Sequence, residues 1–285
     1  MRISILMACA LLAAAAFAAE AHAQGVAVKD GLAFSEGPAW DGERHLYFSD
    51  IPRNQILRHD TETGDTEVFI EDSGGANGLW IAPDGSLYAC EGGRRAVARY
   101  LLPSNERQAV FELSEGRKLS QPNDLWMDAD GGIYVTDPVY GAVEDREIET
   151  EDVYYLAPGE KVAFTAATDL VRPNGIIGTP DGKTLYVADH GDDKTYAYDI
   201  TGPGKLENRR VFAEYGSDGM TLDPEGNLYL TDGKTLRVLN PQGAQIRAVE
   251  FPEQTTNVTF GGKDGRTLFI TCANSLRALE IPAAE

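Results

Sequence analysis

The sequence predicts an all-β protein, a six-bladed β-propeller, on three observations. One hairpin-forming unit recurs six times, its spacing matches the length of a four-stranded blade, and stretches of helical periodicity are few. The clearest copy of the unit is Gln121-Pro-Asn-Asp-Leu-Trp-Met-Asp-Ala-Asp-Gly-Gly-Ile-Tyr-Val-Thr-Asp137. Leu125 to Met127 and Ile133 to Val135 are short apolar runs bounded by turn signals, as paired strands are. Asp130, Gly131 and Gly132 supply the positive-φ residues of a tight hairpin. The aromatic of the second strand marks the register at Tyr47, Tyr88, Tyr134, Tyr186, Tyr229 and Phe269, at intervals of 41, 46, 52, 43 and 40 residues.

Counting back from each marker gives the unit its chemical meaning. Glu36, Asn77, Asn123 and Asp218 lie 11 residues before their markers; Asn174 and Asn257 lie 12 before, and their turns are one residue longer. All six positions carry Glu, Asn or Asp. The innermost strand of a blade runs along the propeller axis, so equivalent residues at its start form a ring around one mouth of the channel. A ring of carboxylate and amide oxygens, with no Cys or His in it, suits a hard cation such as calcium. The structural alternative is that Asn and Asp simply occupy turn positions.

Residues 1–23 read as a signal peptide. Arg2 gives a charged tip, Ile3 to Ala19 an almost unbroken apolar run, and Ala21-His-Ala23 a small-x-small processing site. Cys9 sits inside the apolar run, which argues against lipidation. The mature chain is expected to begin near Gln24 as a single propeller domain, 24–285, exported to the periplasm or secreted. Its N-terminal strand, within Gly25 to Phe34, has no unit of its own. The last unit, Thr259 to Pro282, is one strand short, so the two are expected to complete a single blade and close the ring. Cys90 and Cys272 fall in units that are not neighbours, and each is expected to pack as a buried thiol.

Three residues after each marker stand Asp50, Glu91, Asp137, Asp189, Asp232 and, breaking the pattern, Cys272; these acids are expected to cap the following turn. The longest insertion runs from Asp137 to about Asp152, and long loops over a propeller mouth build pockets. Tyr140 is therefore a candidate substrate wall, while Glu144 to Glu151 reads as solvated charge. Arg95 is a candidate to hold a substrate carboxylate or hydroxyl, the alternative being a pairing with a rim acid. His190, a lone loop histidine, is a candidate substrate contact or base. The net charge of −20 disfavours nucleic acid and anionic membranes and draws cations inward. No Gly-Xaa-Ser-Xaa-Gly elbow, Ser/His/Asp arrangement, phosphate-binding loop or zinc-like Cys/His spacing is present.

Ser-Glu36-Gly-Pro-Ala-Trp, Gln-Pro-Asn123-Asp, Asp137-Pro-Val-Tyr-Gly, Arg-Pro-Asn174-Gly and Ser-Asp218-Gly-Met-Thr, in order and at blade spacing, resemble the regucalcin/gluconolactonase/luciferin-regenerating-enzyme family. Asn77-Gly-Leu-Trp, Glu91 and Arg94-Arg95 are similar to its bacterial gluconolactonase branch. The resemblance implies one divalent cation in the channel, Ca²⁺ first, with Zn²⁺, Mg²⁺ or Mn²⁺ as alternatives. The family's metal-binding Glu falls on Glu36, its Asn after Arg-Pro on Asn174 and its Asp before Gly on Asp218. Asn123 falls where members touch the metal or the substrate. The chain departs at Gln121, where animal members carry arginine, and at Gly92, where bacterial relatives often carry histidine.

The expected function is metal-dependent hydrolysis of a sugar lactone by a monomer that takes no nucleic-acid or membrane partner. Asp218 is expected as base, with Asn77, Asn123, Arg95, Tyr140 and His190 toward substrate. The rivals are a phosphotriesterase of the diisopropyl fluorophosphatase type and a non-catalytic, calcium-stabilised binding propeller.

Overall fold

Asp-Gly turns and short apolar runs fold as local hairpins, and a computed structural model, described for residues 25–282 apart from 103 and 114–116, stacks them as six β-sheet blades of a propeller. In the unit quoted above, Leu125–Met127 pairs antiparallel with Ile133–Asp137, placing Trp126 opposite the marker Tyr134. The turn is held by Asp128, whose Oδ1 accepts the Gly132 N–H at 2.7 Å and the Asp130 N–H at 3.0 Å. Gly131 takes φ +88°, which a side chain would resist.

The inner strands, one per blade, are Ser35–Trp40, Ala76–Ile81, Leu125–Met127, Pro173–Gly178, Met220–Leu222 and Thr255–Gly261. Each leads outward through three further strands in antiparallel order. The sixth sheet takes its outermost strand from the start of the described chain, Val26–Asp30 pairing with Ser275–Glu280. Blades 2 and 3 are stitched by a short parallel pairing of Val162 with Glu112 and Ala163 with Leu113. The only helical turn among the described residues is a 3₁₀ turn at Ile51–Arg53. Residues 1–23, the expected signal peptide, lie outside the described residues.

Second strands are buried on both faces, as in Ile133–Asp137, because neighbouring blades cover each side. The core therefore sits between blades. The Trp126 ring of blade 3 lies over Gly178 of blade 4, where a Cβ would come within 2.2 Å of it; Trp40 of blade 1 likewise meets Gly261 of blade 6 at 2.9 Å. Hydroxyls stitch the inner strands: Ser49 donates to the Asn77 carbonyl, Thr136 to that of Asn174 and Thr231 to that of Thr256.

The acids ending the second strands do a different job from the one expected. Asp50, Asp137 and Asp189 accept backbone N–H groups of the segment before their own inner strand, Ala33–Phe34, Ser120–Gln121 and Val171–Arg172 respectively. Glu91 takes Tyr100 and Arg107 from outer strands, and Asp232 takes Arg237. They fix the entry into each blade or its outer strands. Cys90 and Cys272 are free and fully buried, as expected.

Candidate active site

The ring residues occupy irregular starts of the inner strands. Pairing with the second strand slips between Glu36 and Ala39, between Ala76 and Leu79 and between Pro173 and Ile176, and such bulges re-aim side chains. Four ring residues are followed by glycine: Glu36-Gly37, Asn77-Gly78, Asn174-Gly175 and Asp218-Gly219. Each glycine makes room for the next blade. A Cβ at Gly37 would fall 2.2 Å from the Asn77 carbonyl oxygen, one at Gly78 2.7 Å from that of Asn123 and one at Gly175 3.0 Å from that of Asp218. At Gly219 it would fall 2.0 Å from Asn257 Cγ. The missing side chains let inner strands close around one axis, which brings the ring oxygens together.

Five of the six ring residues, Glu36, Asn77, Asn123, Asn174 and Asp218, form the floor of a cavity of about 580 Å³ at one mouth of the channel. The sixth, Asn257, is set one layer deeper, where its Nδ2 donates to Asp124 Oδ2 at 3.2 Å. Both lie beside a smaller cavity of about 180 Å³ that continues down the channel among Trp40, Trp80 and Phe260. The expected six-membered ring is thus five residues plus a cross-channel pair.

Charge is concentrated here without basic compensation. Burial raises the Glu36 carboxyl well above the ordinary carboxylate range, and the nearby Asp218 charge raises it further. Burial also raises Asp218, against the opposing effect of its hydrogen bond from Asn174, and pushes Asp124 up to about 7. No Lys or Arg lines the cavity among the described residues. The Asn174 Nδ2 protons go to Asp218 Oδ1 at 2.7 Å and Tyr140 Oη at 2.6 Å, leaving Oδ1 toward the channel. Asn77 Oδ1 is buried with no hydrogen-bond partner.

These observations test the cation reading. A buried orphan amide oxygen, two floor carboxyls with burial-raised pKa values and an all-oxygen donor set fit a hard divalent ion. No group of three or more His, Cys, Asp or Glu side chains placed to hold a metal occurs among the described residues; three of the five floor donors are amides.

The wall is built by the long insertion and the loop after Asp189. The Tyr140 hydroxyl, receiving the Asn174 proton, lies within hydrogen-bond distance of His190 Nδ1, at 3.0 Å. The Arg172 guanidinium lies 5.1 Å from the centre of the Tyr140 ring. Burial and the Arg172 charge lower the His190 pKa, favouring the neutral ring. Gln121 Oε1 takes the Tyr140 N–H at 2.9 Å. The insertion is more anchored than a run of solvated charge: Ile148 is buried, Glu151 accepts the Val139 N–H and Glu147 that of Lys118.

Arg95 departs from its expected role. It does not line the cavity; its Nε donates to the Leu119 carbonyl at 2.6 Å and Nη1 to the carbonyls of Glu144 and Asp145. It holds the insertion in place instead. Asp124 was missed because its neighbour Asn123 accounts for the motif; the signal was its place where four other units carry glycine. Phe34 and Ile51, which also line the cavity, precede and follow blade 1's inner hairpin and carry no local signature.

The profile of the SMP-30/gluconolactonase/LRE-like region matches residues 34–274. The chain is 27% identical to a gluconolactonase of Zymomonas mobilis, covering 87% of this chain and 79% of that one. It is 28% identical to the diisopropyl-fluorophosphatase of Loligo vulgaris, covering 86% and 87% respectively. The solved structure of a Xanthomonas campestris gluconolactonase superposes with a TM-score of 0.84 at 30% identity, covering 90% of this chain and 88% of that one. By sequence and by fold, the chain belongs to the SMP-30/gluconolactonase/LRE-like family.

Proposed function

We propose that the protein is a lactone hydrolase of the gluconolactonase type, opening a sugar lactone with one divalent cation held by Glu36, Asn123, Asn174 and Asp218. The observation that carries this reading is the floor itself: five oxygen-bearing side chains from five blades converge, two of them carboxyls, Glu36 buried and Asp218 half-buried, with no Lys or Arg among them. The lactonase names of its relatives support the reaction class. Ca²⁺ is the first candidate by donor type.

A cation bound there supplies the positive charge that polarises a lactone carbonyl and offsets the negative charge formed when water adds. The chain's own groups do the rest. Asp218 takes the proton of the attacking water, whose acidity the cation would raise. Asn174 orients Asp218 and couples it to Tyr140. Asn77 and Asn123 hold the ring oxygens of the substrate at the floor, while Tyr140 and His190 bound it on one side. The test is turnover of δ- and γ-lactones by protein stripped with a chelator and then resupplied with Ca²⁺, Mg²⁺, Mn²⁺ or Zn²⁺. Full activity in metal-free protein would sink the cation role. The squid relative favours a second reading, organophosphate hydrolysis on the same floor; faster turnover of a fluorophosphate than of any lactone would establish it. A non-catalytic binding propeller is excluded by cation-dependent turnover of either class.

A further inference from the structure

One side of the cavity is built without side chains. In blade 2, Gly74-Gly75 and Gly92-Gly93 lie side by side, Gly92 donating to the Gly75 carbonyl and Gly93 to that of Gly74, both at 3.0 Å. Three of these glycines are required by the backbone. Gly74 and Gly75 have φ of +67° and +68°, and a Cβ on Gly93 would meet the Gly74 carbonyl at 3.0 Å. Gly92 is different. Its φ lies outside the left-handed region, and a Cβ there would have its nearest neighbours at 3.6 Å or more: Gln121 Cγ, the Gly75 oxygen and the Pro122 oxygen. The fold accepts a side chain at 92, and that side chain would enter the cavity beside Gln121 and Pro122, which line it.

This arc also has few free donors. The Gly75 N–H goes to Asn54, those of Gly92 and Gly93 to carbonyls, that of Phe34 to Asp50 and that of Gln121 to Asp137. Pro122 has none. The side-chain donors are the amide nitrogens of Gln121 and, at the blade 6 end, Gln254. Phe34, Ile51 and Pro122 complete the arc. A hydroxylated chain laid on it would lose water and regain few hydrogen bonds, whereas a hydrocarbon chain would lose nothing polar. The floor and the Tyr140–His190 wall, by contrast, are polar.

We propose that Gly92 opens an apolar arm of the substrate site, and that the enzyme takes lactones carrying an alkyl substituent on the ring, with the ring on the polar floor and the chain across the glycine platform. This rests on the lactonase reading and replaces its sugar lactone by an alkyl-substituted one. The test compares δ-valerolactone with δ-decanolactone, the same ring with and without a pentyl chain, on the cation-supplied protein and its Gly92→Ala and Gly92→Leu variants. In the unaltered protein kcat/KM should favour δ-decanolactone by tenfold or more. Gly92→Leu should cut that preference at least tenfold, mainly through KM for the pentyl lactone, with Gly92→Ala between. Turnover of both lactones with a ratio near one, or a ratio that neither variant moves, overturns the arm and leaves the lactonase reading standing. Turnover of a sugar lactone but of neither of these by the unaltered protein overturns the arm alone; turnover of no lactone at all overturns the lactonase reading and the arm with it.

Discussion

Asp218 carries two roles that one substitution can separate. Asp218→Asn keeps an oxygen for the cation but removes a negative charge and the proton acceptor. Of the proposed ligands only Glu36 and Asp218 are carboxylates, so cation affinity should fall. Loss of a general base is worth roughly 10²–10⁴ in rate, so kcat should stay down by that factor at saturating cation. Near-normal kcat there would leave Asp218 only a ligand, and His190, on the same wall, would be the next group to examine. Asn123→Ala reads the neighbouring position. As a proposed cation ligand, Asn123 should cost cation affinity when removed; a raised KM with affinity little changed would make it a substrate contact only.

At the scale of the inner strands, the glycines after the ring residues set how closely blades approach. Gly37 is the severest case: its φ is +52°, and a Cβ would fall 2.2 Å from the Asn77 carbonyl oxygen and 2.7 Å from Gly78 Cα, both backbone. Gly37→Ala must push blade 1 from blade 2 and accept a disfavoured φ. A loss of about 2–4 kcal/mol is expected from overpacking plus strain, seen as a lowered midpoint in urea, with cation affinity reduced because Glu36 shifts away from the other proposed ligands. Unchanged stability would mean that the strands slide freely. The repeat that locates these strands was legible because Asp-Gly turns, short apolar runs and the marker aromatics are local signals. What was not legible depends on contacts between distant segments. Arg95 reads as a substrate arginine until Leu119 supplies one carbonyl to it and the insertion two. Asp124 points across the channel to Asn257, 133 residues away, a pairing that local pattern does not encode. The strand-end acids were placed correctly, but their partners lie before the blade, about 17 residues upstream in three cases.

For the whole molecule, the first 23 residues and the channel make separate predictions. Protein recovered after export from its source should begin at or near Gln24; intact Met1 protein in the cytoplasm would count against a signal peptide. The second prediction links the cation to folding. Glu36, Asp124 and Asp218 all have raised pKa values in the folded chain, chiefly through burial, Asp124 at about 7. In the unfolded chain such groups release their protons near pH 4. Between about pH 4 and pH 7 the folded state therefore holds protons that the unfolded state has lost. Stability of the metal-free protein should fall as pH rises through that window. A cation binds the deprotonated floor, so its stabilisation grows over the same range. At a free concentration a hundredfold above Kd it contributes about 2.7 kcal/mol. The measurement is thermal unfolding from pH 5 to pH 8, in chelator and in Ca²⁺. The gap in Tm should be small at pH 5 and widest at pH 8. An equal gap at both ends would mean that the cation does not bind the buried carboxyls, and its ligands would have to be sought among amides and carbonyls alone.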